Sequence, residues 1–188
     1  MHTDQYRFGI YDKMGDVQST LNLGKDLKTY LAETKAANSQ YMSMIAVFSD
    51  QVTSELDFEE KLWLQLQELH DGEKNQQLWD PSVGSNPEAN DFSFSFAGTA
   101  FFIVGLHPYS SRRSRRFGYP ALAFNLHHQF EQLRDHALYE KMKKTIRDRE
   151  VKYDGAINPM LHDHGAGLEA PQYSGRQVDS SWKCPFHP

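Results

Sequence analysis

The sequence predicts an α+β fold, with a central, mostly antiparallel sheet flanked by helices and an extended C-terminal tail. Three observations carry that expectation. Residues 92–106 read as two short β-prone runs joined by a tight turn. Residues 15–34 and 126–149 carry apolar side chains at helical spacing. From Lys152 onward the chain holds four of its eight prolines and several glycines, which suits a tail that wraps a domain better than a second domain. The 188 residues are therefore read as one domain over 1–188.

The elements follow in chain order. Val17, Leu21, Gly24, Leu27 and Leu31 recur along one helical face, predicting a first helix. "YMSMIAVFS" (Tyr41–Ser49) is short, apolar and β-prone, a buried strand. In the next helix Ser54 or Asp57 can cap, Glu59 and Glu60 suit the dipole, and Phe58, Leu62, Leu66 and Leu69 form one face. Gly72 is a natural stop, and residues 73–90 read as a loop. Phe92, Phe94 and Phe96 then alternate with serines, Ala97-Gly98-Thr99 turns the chain, and Ala100–Leu106 is continuously apolar. This pair predicts a hairpin at the sheet centre, its second strand buried on both faces. "PALAFN" (Pro120–Asn125) is another strand. Leu126, Phe130, Leu133, Ala137, Met142 and Ile146 trace the apolar face of a long helix.

Composition excludes several classes. Hydrophobic residues at 39% and aromatics at 13% describe a globular chain large enough to bury a core. A net charge of −5 argues against a nucleic-acid coat. One cysteine, Cys184, rules out an internal disulfide framework and fits a reducing compartment. The start "MHTDQYRFGI" lacks the features of a secretory signal, and the apolar stretch at 100–106 is too short to span a bilayer. The expectation is a cytoplasmic protein with no membrane partner.

Chemistry is expected where polar groups interrupt the apolar runs. "GLHPYSSRRSRRF" (Gly105–Phe117) holds one histidine and four arginines directly after a buried strand. Pro108 forces the chain out of the sheet there. His107 is either a histidine satisfied by a backbone carbonyl, or a metal or haem ligand or general base. Arg112, Arg113, Arg115 and Arg116 are either a solvated basic loop or a grip for carboxylates or phosphates. No further basic stripe supports nucleic acid. His127 or His128 is a candidate distal group, with His136 two turns on. His162 and His164, two apart, lack a third ligand at zinc spacing, and they and His187 read as surface. Cys184 in "SWKCPFHP" reads as a small buried thiol, with iron ligation as the alternative. Glu59-Glu60 reads as a solvated pair. No nucleophile elbow, phosphate loop, dinucleotide fingerprint or zinc-protease motif occurs.

"FSFSFAGTAFFIVGLHPYSSRRSRRF", "PALAFNLHHQFEQLR", "YEKMKKTIRDRE", "GAINPML", "QYSGR" and "WKCPF" together resemble the YqcI/YcgG family over about residues 55–188. The nearest branch is that of the haem-dependent N-hydroxylase of guanitoxin biosynthesis, with its HPxxSRxxRRF pattern. His107, Pro108, Ser111, Arg112, Arg115, Arg116 and Phe117 match that pattern. The chain departs from the family in lacking an FPC-type segment, and in Arg113 and Ser114, where small or apolar residues are expected.

The resemblance implies a haem b enzyme that uses dioxygen to hydroxylate, or oxidise further, a guanidino or amino nitrogen of an amino-acid-like substrate. It implies His107 as axial iron ligand and Arg112, Arg115 and Arg116 on the propionates. Ser111, Phe102 and Cys184 are expected near the cofactor, with the phenylalanines of 92–102 as core or as cofactor wall. Electrons must come from an external donor, which includes a donor protein, and a homodimer would suit so small a chain. The alternative is a protein that binds or senses haem without turnover.

Overall fold

The computed structural model describes residues 6–37, 42–73, 79–129, 138–160 and 167–188. Among the described residues eight regular elements follow in order: β1 (Tyr6–Tyr11), α1 (Val17–Ala37), β2 (Ser43–Phe48), α2 (Glu55–Glu73), β3 (Phe94–Phe96), β4 (Thr99–Leu106), β5 (Ala121–Leu126) and α3 (Leu138–Asp154). Residues 127–129 are also helical. Single-turn 3-10 helices occupy Arg113–Arg115 and Ala170–Gln172.

Local chemistry sets the boundaries. The Asp16 carboxylate accepts the amides of Gln18 and Ser19 at 3.0 and 3.1 Å, capping α1. Ser54 Oγ accepts the Asp57 amide at 3.0 Å, so Ser54 is the cap of α2, and Asp57 reaches back to Thr53. Between β3 and β4, Ala97 (φ 55°) and Gly98 (φ 69°) both lie in the left-handed region. That is the two-residue turn whose twist matches a hairpin.

The strands form one five-stranded sheet in the order β1-β2-β5-β4-β3. β1 and β2 are parallel, joined across α1, and the other three pairings are antiparallel. The α+β fold with a mostly antiparallel sheet is therefore found. The hairpin is not central, however: β3 is an edge of only three residues and β5 is the middle strand. β4 is also not buried on both faces. Ala100, Phe101, Ile103 and Gly105 are buried, while Phe102, Val104 and Leu106 are half-buried. The cause is that α1 and α2 cover the same face. Tyr11 Oη donates to Asp26 of α1 at 2.8 Å, and Gly105 sits so close under Phe58 of α2 that a Cβ there would come within 2.6 Å of its ring.

The core lies between those helices and that face. Leu23, Leu27 and Tyr30 of α1 and Phe58, Leu62, Trp63, Leu66 and Leu69 of α2 meet Met44, Phe48, Phe94, Phe101, Ile103, Leu122 and Phe124 of the sheet. Phe92, Phe94, Phe96 and Phe101 belong to it, so those rings are core. Residues 167–188 contain only the one 3-10 turn, yet Tyr173 and Phe186 are fully buried. α3 departs from expectation at Ile146. Ile146, assigned to the apolar inner face, is 44% exposed, and the half-buried stripe is Lys143, Arg147, Glu150 and Asp154. Phe130, Leu133, His136 and Ala137 lie outside the described residues. Among the described residues no helix is long and apolar enough to cross a membrane.

Candidate functional site

The site grows from the end of β4. The His107 amide donates to the Arg115 carbonyl at 3.1 Å, and the Phe117 amide donates to the His107 carbonyl at 3.3 Å. These bonds close the segment 107–117 into a compact loop. Within it the His107 ring is fully buried and stacks on Phe58 at 4.2 Å between centroids and 19° between planes. Among the described residues neither ring nitrogen has a hydrogen-bond partner, and the nearby Ser110 hydroxyl has none either. A carbonyl-satisfied histidine is therefore not what forms here. Burial lowers the His107 pKa below its ordinary 6.5, with Glu55 opposing and Arg115 assisting. The imidazole is thus neutral at physiological pH.

The arginines hold the loop against the rest of the chain. Arg112 donates to the Ala156 carbonyl at 3.0 Å and pairs with Asp154 at 3.3 Å and Glu150 at 3.6 Å. Asp154 also accepts the Ser114 hydroxyl at 2.6 Å and the Arg113 amide, capping the 3-10 turn. Burial pushes the Asp154 carboxyl up, but the bonds from Ser114 and Arg113 and the Arg112 charge outweigh it and hold its pKa below the usual value. Arg115 turns inward to three carbonyls: Gly105 at 3.1 Å, Gln172 at 3.3 Å and Tyr173 at 3.4 Å. Burial lowers its pKa to about 10, leaving it charged at neutral pH. Arg116 Nε donates to the Ser110 carbonyl at 2.7 Å. Ser111 gives both its amide and its hydroxyl to Glu55 of α2, each at 2.8 Å.

The chain therefore brings His107, Ser111, Arg112, Arg115 and Arg116 into one neighbourhood. Glu55 and Phe58 come from α2, Glu150 and Asp154 from α3, and the carbonyls of residues 172–173 from the tail. Phe102 does not join: it projects from the sheet face opposite His107, and its ring meets Tyr173 edge-on at 5.9 Å. Cys184 is half-buried against the core, its thiol pushed up to about 12 by burial. His127 is buried, and burial lowers the pKa of the partly covered His128 against the pull of Asp80. His162 and His164 lie outside the described residues, and His187 is exposed. Among the described residues no group of three histidine, cysteine or carboxylate side chains is arranged to hold a metal ion.

A cavity of about 180 Å³ opens beside the loop, with Ser111, Arg112, Asp154, Asn158, Gly175 and Gln177 among its walls. Three sequence motifs, from the arginine loop, "NPML" and "QYSGR", converge there. Sequence reasoning missed the carboxylates Glu55, Glu150 and Asp154, because single acidic residues on helices carry no spacing signal.

A second cluster corrects the reading of Glu59. It is buried, not solvated, and accepts from Arg176 at 2.7 and 2.9 Å, Ser174 at 2.8 Å and Trp182 Nε1 at 2.9 Å. Arg176 closes "QYSGR" and Trp182 opens "WKCPF", so both motifs fasten the tail to α2. Nearby, the Tyr173 and Ser93 hydroxyls donate to the buried Glu169.

The YqcI/YcgG family matches residues 1–187. Two proteins of Bacillus subtilis strain 168 are similar over long stretches. Uncharacterized protein YqcI is 32% identical over 136 residues, covering 69% of this chain and 53% of that protein. Uncharacterized protein YcgG is 28% identical over 197 aligned positions, covering 98% of this chain and 76% of that protein. The match thus spans about half the length of YqcI. No solved structure matches the chain.

Proposed function

The chain belongs to the YqcI/YcgG family, and from that premise we propose that it is a haem-dependent oxygenase acting on a nitrogen of an amino-acid-like substrate. The observation that carries this reading is the His107 ring, fully buried with both nitrogens unpartnered. Buried polar atoms are nearly always satisfied, so an orphaned imidazole asks for a ligand. A neutral imidazole is the form that donates to iron, and burial favours that form here.

The residues fit the cofactor in part. His107 fits as the iron-holding side chain. Arg112 and Arg115 do not fit as a propionate clamp in this arrangement: one is spent on Glu150 and Asp154, the other on three carbonyls. Among the described residues Arg116 uses only Nε, and Arg113 is exposed, so these two guanidinium groups are the candidates for propionates. The ring is also covered by its own loop and Phe58, so loading requires the 107–117 segment to open. Bound haem would supply dioxygen activation, with electrons from an external donor. The chain's part is to orient the substrate. The neighbouring cavity, where Ser111, Asn158 and Gln177 line the wall beside the Arg112–Asp154 pair, is the place for it.

Complete cover over His107 favours a second reading, haem binding or sensing without turnover. The experiment is a titration of the pure protein with haem, followed by absorption. The proposal expects a Soret band that is shifted or lost in His107→Ala. No band, or an unchanged spectrum in that variant, overturns it. Product formation from arginine-like amines with a reductant and dioxygen separates oxygenase from sensor.

A further inference from the structure

The two helices α1 and α2 cover one face of the sheet, and the other face has a different character. Strand pairing lines up its side chains in rows. One row is Phe8, Ile45, Ala123 and Val104, and the next is Ile10, Val47, Ala121 and Leu106. Nothing in these rows is charged. At the β1 edge the exposure is large: Tyr6 is 52%, Phe8 67% and Ile10 83% exposed. Three such side chains together present on the order of 400 Å² of apolar surface. A solvent-facing strand ordinarily carries polar residues at these positions, so a wholly apolar exposed run needs a cover.

We propose that the cover is a second copy of this chain, packed sheet face to sheet face about a two-fold axis. Four observations select that occupant. First, these rows are uncharged, so their own image meets them without like-charge repulsion. Second, its polar members need no outside partner. Ser43 Oγ donates to Asn125 Oδ1 at 2.7 Å, and Asn125 Nδ2 donates to the Phe102 carbonyl at 3.1 Å. Third, the half-buried Ile45, Val47, Ala123 and Val104 extend the patch toward the roughly 800 Å² per partner that a stable interface takes. Fourth, the chemistry disfavours a lipid surface. Arg7 at this edge is paired to Glu33 at 2.7 Å, and the chain carries a net charge of −5. Strands on one copy then cross those of the other at the spacing of packed sheets, about 10 Å. The described side chains of α3 do not supply the cover: the half-buried ones are charged, and Glu150 and Asp154 among them are bound to Arg112.

The inference is independent of haem, and its test reads mass rather than spectrum. In analytical ultracentrifugation of the haem-free chain, the wild type sediments at twice its chain mass at micromolar concentration. The double variant F8E/I10E places two carboxylates in the interface and raises the dissociation constant at least 100-fold, with an unchanged far-ultraviolet circular dichroism spectrum. Ile146→Glu, on the exposed side of α3, leaves the dimer intact. A second measurement needs no variant. Amide hydrogen exchange of residues 6–11 slows as wild-type concentration rises through the dissociation constant, while that of 17–37 stays constant. A monomeric wild type, including one that instead binds neutral phosphatidylcholine vesicles, overturns the proposal. So does a dimer that survives F8E/I10E, or one that Ile146→Glu dissolves.

Discussion

Glu59 and His107 are both buried polar side chains, Glu59 next in sequence to the Phe58 ring on which His107 stacks, and they differ in satisfaction. Glu59 receives four hydrogen bonds, two of them from the Arg176 guanidinium. Replacing it with alanine strands those donors, so Glu59→Ala is expected to cost about 3 kcal/mol in urea unfolding. Its neighbour in sequence, the exposed Glu60, should change stability by less than about 0.5 kcal/mol on the same substitution. The pair could not be told apart from sequence, because the partners of Glu59 lie more than a hundred residues away. His107 was legible as a candidate, since a histidine ending an apolar strand before proline must lie at a boundary. Its missing partners were not. In the haem-free protein its lowered pKa has a direct consequence. The unfolded chain binds the proton near the ordinary value of about 6.5, and the folded chain only at lower pH. Stability is therefore full above about 6.5 and falls as pH drops toward the folded pKa. Thermal midpoints between pH 8 and pH 5 should decline on acidification, and His107→Phe, which keeps the ring on Phe58, should flatten most of that decline. His128, also lowered by burial, contributes in the same direction.

At the scale of elements, the hairpin was readable and the helix α3 was not. Strict alternation in "FSFSF" and a small-residue turn fixed β3 and β4, and both turn residues do take positive φ. Gly98→Ala is expected to destabilise by about 1 kcal/mol, since it gives an L side chain the left-handed conformation. What the pattern could not supply was the position of the hairpin in the sheet, because pairing of β5 with β2 is decided over a long sequence separation. β1 was missed altogether: "YRFGIY" buries only Gly9 and Tyr11, so its signal is that of a half-solvated segment. α3 turns Ile146, placed on the apolar face by its spacing, outward. Its inner stripe is charged because it docks on the arginine loop, where Arg112 answers Glu150 and Asp154. Ile146→Lys should therefore be nearly neutral. Asp154→Ala should free the Arg113–Arg115 turn and be the more damaging change by about 1–2 kcal/mol, measured by the same unfolding assay.

The whole molecule is held shut by its last twenty residues. Arg115 ties the arginine loop to the carbonyls of residues 172–173, Gly105 of β4 donates its amide to the Tyr173 carbonyl at 2.8 Å, and Arg176 and Trp182 fasten on Glu59. Phe186 then enters the aromatic cluster of Trp63, Trp79, Phe92 and Phe94. One strap thus spans α2, the sheet edge and the loop that buries His107. Cys184 lies within it and reports on its closure. Burial holds that thiol near 12, so little thiolate exists at pH 8 and the side chain is inert until the strap lifts. In the native protein an aromatic disulfide reagent should therefore react far more slowly than with the urea-unfolded chain. Glu59→Gln removes the charge that holds Arg176 and weakens the strap by about 2 kcal/mol, which corresponds to about a 30-fold faster reaction. Phe186→Ala should accelerate it as well, because the last anchor is lost from the aromatic cluster. Equal rates in wild type and both variants, with all three folded, would mean that the tail opens independently of these anchors and that the strap is not a closing device.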